Sequence, residues 1–81
     1  MNARRPGAVT YENFTVTVEN GKRVFIDGCR SIMKYETDCV RIRLYKRSVS
    51  VLGEGLKLTS FSQRELCISG RISSVVLEES V

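Results

Sequence analysis

The sequence predicts an all-β protein, and three observations carry that prediction. Alternating apolar runs end in glycine at Val24-Phe25-Ile26-Asp27-Gly28, at Val49-Ser50-Val51-Leu52-Gly53 and at Leu66-Cys67-Ile68-Ser69-Gly70. Asn20-Gly21, set between two such runs, is a strong hairpin signal. No stretch carries a convincing 3.6-residue apolar period of the kind an amphipathic helix needs. In each run alternation sends Ile26, Val51 and Ile68 to a buried face, and the closing glycine lets the backbone bend back over it.

About eight short strands follow in order. Phe14 to Val18 and Arg23 to Ile26 form the first hairpin through Glu19-Asn20-Gly21. A two-residue Asn-Gly loop would set Val16 opposite Phe25 and leave both faces half apolar. A three-residue loop with Gly21 as a bulge puts Phe14 and Val16 opposite Ile26 and Val24, which gives the cleaner core face. Ile32 to Glu36 is the third strand, and Thr37-Asp38 turns it into Val40 to Tyr45. There Val40, Ile42 and Leu44 are expected to point in, and Arg41, Arg43 and Tyr45 to point out. Lys46-Arg47 makes a tight basic turn into Ser48 to Val51, Leu56 to Leu58 continues beyond Gly53, and Ser62-Gln63-Arg64 turns into a final pair, Glu65 to Ser69 and Ile72 to Leu77.

These elements predict a small sandwich or roll with glycine corners, with a short β-solenoid as the competing architecture. The unequal spacing of Gly28, Gly53 and Gly70 disfavours a regular coil. With 81 residues the chain has room for one domain, burying about 60–65% of its unfolded surface. That domain is expected over residues 9–78, between tails at 1–8 and 79–81. A sheet of this size cannot hide every edge, so self-association into a homo-oligomer is a physical expectation.

The chemistry-bearing residues argue against catalysis. The chain contains no histidine, so a histidine-assisted Ser or Cys nucleophile is excluded within one chain. Cys29, Cys39 and Cys67 are odd in number and lack a CxxC spacing, which reads as reduced thiols serving as small strand residues. Cys67 alternates with Leu66 and Ile68 and is expected on the face opposite to them. Gly53-Glu54-Gly55 has no third glycine and no following helix, and Glu54 would repel a phosphate, so a corner between strands explains it better. Asp27, Glu36, Asp38, Glu54 and Glu65 lie near turns without a metal-ligand pattern. No enzyme activity, metal, cofactor or small-molecule substrate is expected.

One surface stands out. Arg41, Arg43, Lys46 and Arg47 cluster in sequence, and Arg41 and Arg43 share a strand face with Tyr45 beside them. Arg41, Arg43, Tyr45, Lys46 and Arg47 are therefore the candidate partner-binding face. Arginine and tyrosine in this order suit single-stranded nucleic acid, where one neutralises phosphate and the other stacks on a base. The net charge is only +4, with acidic residues dispersed among the basic ones. A solvated face that keeps an edge from aggregating is the plainer use, and docking to an acidic protein or anionic membrane is a third. No segment is long or apolar enough to span a bilayer, and the first residues lack the apolar stretch of a secretory signal, so the chain reads as cytosolic.

The run from Val24 to Ile42, with Val49 to Leu58 and Glu65 to Val75 after it, resembles the YabP/YqfC family of sporulation proteins, closest to its YqfC branch. The resemblance spans residues 16–78 and rests on the order and spacing of several apolar-x-apolar-x-Gly units. It implies a small protein of the mother cell, at the forespore surface or in the cytoplasm, that takes part in spore formation through coat or envelope assembly. It brings no catalytic residues with it. The expected function is thus a non-enzymatic assembly or adaptor module that binds copies of itself or a sporulation membrane or coat protein, with a small nucleic-acid-binding regulatory module as the alternative.

Overall fold

The computed structural model of the protein, which describes residues 8–10 and 14–79, is all-β. Its strands are β1 (Ala8–Thr10), β2 (Thr15–Glu19), β3 (Arg23–Asp27), β4 (Ser31–Tyr35), β5 (Cys39–Leu44), β6 (Arg47–Ser62) and β7 (Glu65–Glu79). They form one open sheet in the order β1-β2-β3-β7-β6-β5-β4, and every ladder in it is antiparallel.

The expected sandwich or roll of short strands gives way to a single sheet built on two long ones. Residues 48–51 and 56–58 belong to the 16-residue β6, and residues 65–69 and 72–77 to the 15-residue β7. The competing solenoid is replaced as well, because a coil of that kind stacks parallel strands. Gly53 and Gly70 do not end strands. They lie inside them, where the β6–β7 ladder shifts register at Leu52/Gly53 and again between Glu54 and Lys57. A bulge adds residues to one strand and bends it while pairing resumes on the far side, so a glycine that reads as a terminator can sit within a continuous strand. A straight 16-residue strand would reach about 50 Å, yet the longest dimension of the molecule is 36 Å. The tail expected over residues 1–8 lies outside the described residues except for Ala8, which begins β1; residues 80 and 81 also lie outside them, and Glu79 ends β7.

The irregular stretch divides the sheet. On one side β3 pairs with residues 65–69 of β7; on the other β5 pairs with residues 47–52 of β6. Both sides contribute to one core. Val16, Val24, Ile26, Leu66 and Ile68 meet Val40, Ile42, Leu44, Val49 and Val51, with Leu56 and the linker residue Cys29, in one buried cluster. Val24, Ile42, Val49, Val51 and Ile68 are fully buried. No helix covers this face among the described residues, so the sheet must curve over itself to take these side chains out of water. Each contributes about 1.5–3 kcal/mol by doing so.

Backbone hydrogen bonds tie the two sides together. Gly53 and Leu56 donate to the carbonyls of Asp38 and Thr37 in the β4–β5 turn at 3.2 and 2.8 Å, and Gly70 and Ile72 donate to those of Lys22 and Gly21 in the β2–β3 turn at 3.0 and 2.8 Å. Each turn thereby takes up peptide groups that the bulges release from the ladder.

The first hairpin has the expected three-residue loop and the expected faces, in a different register. Val16 pairs with Ile26, Val18 with Val24 and Thr17 with Phe25, and the loop is Asn20-Gly21-Lys22 rather than Glu19-Asn20-Gly21. The left-handed φ of Asn20 and Gly21, 51° and 63°, and the Lys22 N–H to Glu19 carbonyl bond of 3.0 Å hold that geometry. A slip of two residues in pairing keeps the alternation in phase, which is why the core face is unaffected. The Lys46-Arg47 turn is likewise displaced: Leu44 pairs with Arg47, so Tyr45 and Lys46 form the turn and Arg47 begins β6.

The glycines at the irregularity differ in what they allow. A Cβ on Gly53 would collide with the Arg71 carbonyl oxygen, and one on Gly70 would lie 2.7 Å from the Gly55 oxygen at a φ of +143°. A Cβ on Gly55 meets nothing, although its φ is +60°. Gly53→Ala should therefore lower the unfolding free energy by about 3 kcal/mol or more, against about 1 kcal/mol for Gly55→Ala. Urea unfolding of the two variants checks this ranking.

Candidate partner-binding surface

β5 sets Arg41 and Arg43 on the face opposite Val40, Ile42 and Leu44, as its alternation requires. Across the ladder Arg41 faces Ser50 and Arg43 faces Ser48, short side chains that leave room for a long one to lie over them. Arg41 uses that room. Its Nη2 donates to Glu78 Oε1 of β7 at 3.2 Å, which is also an ion pair, while its Nε is buried with no hydrogen-bond partner. Arg47 pairs in the same manner, with Nη1 donating to Glu79 Oε2 at 3.2 Å. The carboxyl end of β7 therefore neutralises two of the five residues that the sequence marks as a binding face. Exposed pairs of this kind are worth about 0.2–1 kcal/mol each, so their main effect is on the local field rather than on stability.

The remaining three are exposed and stay together. Arg43 ends the outward row of β5, and Tyr45 and Lys46 follow in the turn. Tyr45 is 41% exposed, and Lys46 Nζ lies 5.4 Å from the centroid of its ring. A fourth residue joins them. Arg30, in the linker between β3 and β4, donates its backbone N–H to the Arg43 carbonyl at 2.8 Å, and its guanidinium carbon sits 5.4 Å from the Tyr45 centroid. The cluster is thus Arg30, Arg43, Tyr45 and Lys46, a cationic platform around one aromatic ring. Sequence reasoning misses Arg30 because it stands far from Tyr45 along the chain; only the return of the linker toward β5 brings the two together.

A second surface lies at the other side of the sheet. Phe25 and Cys67, paired across β3 and β7, floor a shallow concavity of 670 Å³. Its rim mixes Glu19, Asp27 and Glu65 with Arg23, which is 3.7 Å from Glu19. Cys67 is on the face opposite Leu66 and Ile68, as expected, yet it is only 9% exposed, with Phe25 opposite it across the ladder. The rim is acidic on balance, because Arg23 is taken by Glu19 while Asp27 and Glu65 stand opposite each other across the β3–β7 ladder. Among the described residues, no group of three or more Cys, Asp or Glu side chains is placed to hold a metal ion, and no helix is long and apolar enough to cross a membrane.

All three cysteines are free thiols. Cys29 departs from its expected place in a strand: it lies in the β3–β4 linker, 2% exposed, packed into the core. Burial pushes its thiol above the ordinary value of 9.0 by penalising the thiolate, so it is not a nucleophile at neutral pH.

Geometry and charge together define a small antiparallel sheet protein with an exposed cationic and aromatic cluster at one hairpin turn. The sequence model of the YabP family matches residues 10–81, and the chain belongs to that family. Membership associates it with sporulation. No curated protein matches the chain, and no solved structure does.

The Cys29 environment sets a pH dependence. A folded pKa raised above the unfolded one contributes stability that is complete below pH 9.0 and is lost as pH rises from there through the folded value. Urea unfolding across about pH 8 to 11 should show this alkaline decline, and Cys29→Ala should flatten it. A decline of the same depth in Cys29→Ala would assign it to other groups.

Proposed function

We propose that this protein is a non-enzymatic assembly or adaptor module of spore formation, and that it docks an acidic segment of a spore coat or envelope protein on the Arg30, Arg43, Tyr45 and Lys46 cluster. The resemblance of residues 24–42 and of the later glycine-closed units supports a place near the YqfC branch of its family, and with it action in the mother cell at the surface of the developing spore. Self-association is the second part of the same reading, since a single open sheet leaves strand edges available.

The observation that carries the docking reading is the occupied tyrosine ring. Two cations lie within cation–π distance of Tyr45. A base stacking on that ring would have to displace them, whereas a carboxylate can pair with either cation while the ring keeps its place. Arg41 and Arg47, which a nucleic-acid reading needs for phosphate contacts, are already paired to Glu78 and Glu79. Both features weigh against the alternative of a nucleic-acid-binding regulator.

A fluorescent fusion in sporulating cells tests the proposal. The expected signal is a ring or cap around the developing spore, dispersed by the double variant R43E/K46E with its circular dichroism unchanged. Signal over the mother-cell chromosome, or an undisturbed ring in the variant, would overturn it.

A further inference from the structure

The concavity floored by Phe25 carries charge that no described residue answers. Asp27 and Glu65 are partners across the β3–β7 ladder, where the register runs unbroken from Arg23 to Asp27. Both side chains therefore stand on the outward face with Phe25 and Cys67 and line the same 670 Å³ hollow. Like charges set directly opposite each other destabilise a sheet. Neither carboxylate has an ion-pair partner among the described residues; the ion pairs engage Glu19, Glu36, Glu54, Glu78 and Glu79 instead. Arg23, which also lines the hollow, is held by Glu19, and Arg64, beside Glu65 in the β6–β7 turn, lies outside the lining. Two carboxylates over an aromatic floor suit a cation that brings hydrocarbon with it, a lysine or arginine side chain, better than a bare metal ion.

The same chain displays such groups on a projection. The β5–β6 turn is a two-residue tip, Tyr45-Lys46, with Leu44 paired to Arg47 behind it and a left-handed φ of 58° at Lys46. Arg30, Arg43 and Lys46 have no carboxylate partner among the described residues. One surface is thus a cationic knob around a tyrosine, and the other an anionic hollow around a phenylalanine.

We infer that the Tyr45-Lys46 tip of one copy of this chain seats in the hollow of another, with Arg43 and Lys46 facing Asp27 and Glu65 and the Tyr45 ring lying toward Phe25. The contact joins unlike surfaces, so it closes into a ring or continues from copy to copy as a filament. The inference rests on the self-association part of the functional reading and identifies the partner as a second copy. A coat or envelope protein then meets the cationic cluster on a copy whose tip is unoccupied.

Sedimentation velocity and light scattering on the full chain, over a micromolar-to-millimolar series, give the test. The expected result is self-association above the 9.2 kDa chain mass, weakened by salt. D27N/E65Q removes the charge of the hollow and R43E/K46E reverses that of the tip, and each should raise the dissociation constant about tenfold or more. D27N/E65Q also relieves the like-charge pair, so its urea midpoint should not fall. An equimolar mixture of the two variants keeps one intact hollow and one intact tip, and should form a one-to-one complex that grows no further. A monomer throughout the series, self-association indifferent to D27N/E65Q, or no complex on mixing would overturn the inference. So would a monomeric chain that binds an oligolysine peptide through Asp27 and Glu65, which would give the hollow to a foreign basic segment. The functional reading fails separately: if both variants lose self-association and R43E/K46E still forms an undisturbed ring around the spore, the docking reading falls and the contact between copies stands.

Discussion

The close approach of β6 and β7 at Gly53 and Gly70 is the constraint on which the rest of the fold depends. A sheet without a covering layer can bury its apolar face only by curving onto itself, and here the curvature is concentrated where these two strands lose and regain register. No side chain fits at two of the glycine positions, because backbone oxygens of Arg71 and of Gly55 occupy the space. The freed peptide groups are not abandoned. The two neighbouring hairpin turns accept them, so the turns are fixed by the bend and the bend by the turns.

That mutual dependence explains which parts of the fold the sequence displays openly. The Val40, Ile42 and Leu44 alternation reads directly, because a strand with one wet face writes its burial into every second residue, and the three are at most 1% exposed. The faces of the first hairpin read just as well, although its register does not: period-two alternation is silent about a slip of two residues. The continuity of β6 and β7 is hidden for a different reason. Glycine marks both strand ends and bulges, and only the partner strand, supplied from elsewhere in the chain, distinguishes them. β1 carries too short a run, Ala8 to Thr10, to signal itself.

The candidate site shows the same limit. Arg43, Tyr45 and Lys46 stand out by local spacing and remain together on the exposed turn. Arg41 and Arg47 stand out equally by spacing, yet the terminal strand brings Glu78 and Glu79 to them, and pairing across so long a separation leaves no local trace. Arg30 enters by the reverse route, carried to Tyr45 by a backbone bond to Arg43. The outcome is a surface in which basic residues are sorted into two kinds. Some hold the sheet's last strand, and others surround one tyrosine at an exposed turn.

If the β6–β7 bend is a structural joint rather than a hinge, both sides of the sheet must open together. Hydrogen exchange of the native protein, resolved by residue, measures this most directly. The slowest amides should fall in residues 48–52, 66–69 and 74–77, and those on the two sides of the bend should exchange with one common opening free energy. Separate opening free energies for the two sides, with residues 53–57 and 70–73 exchanging fast, would contradict it.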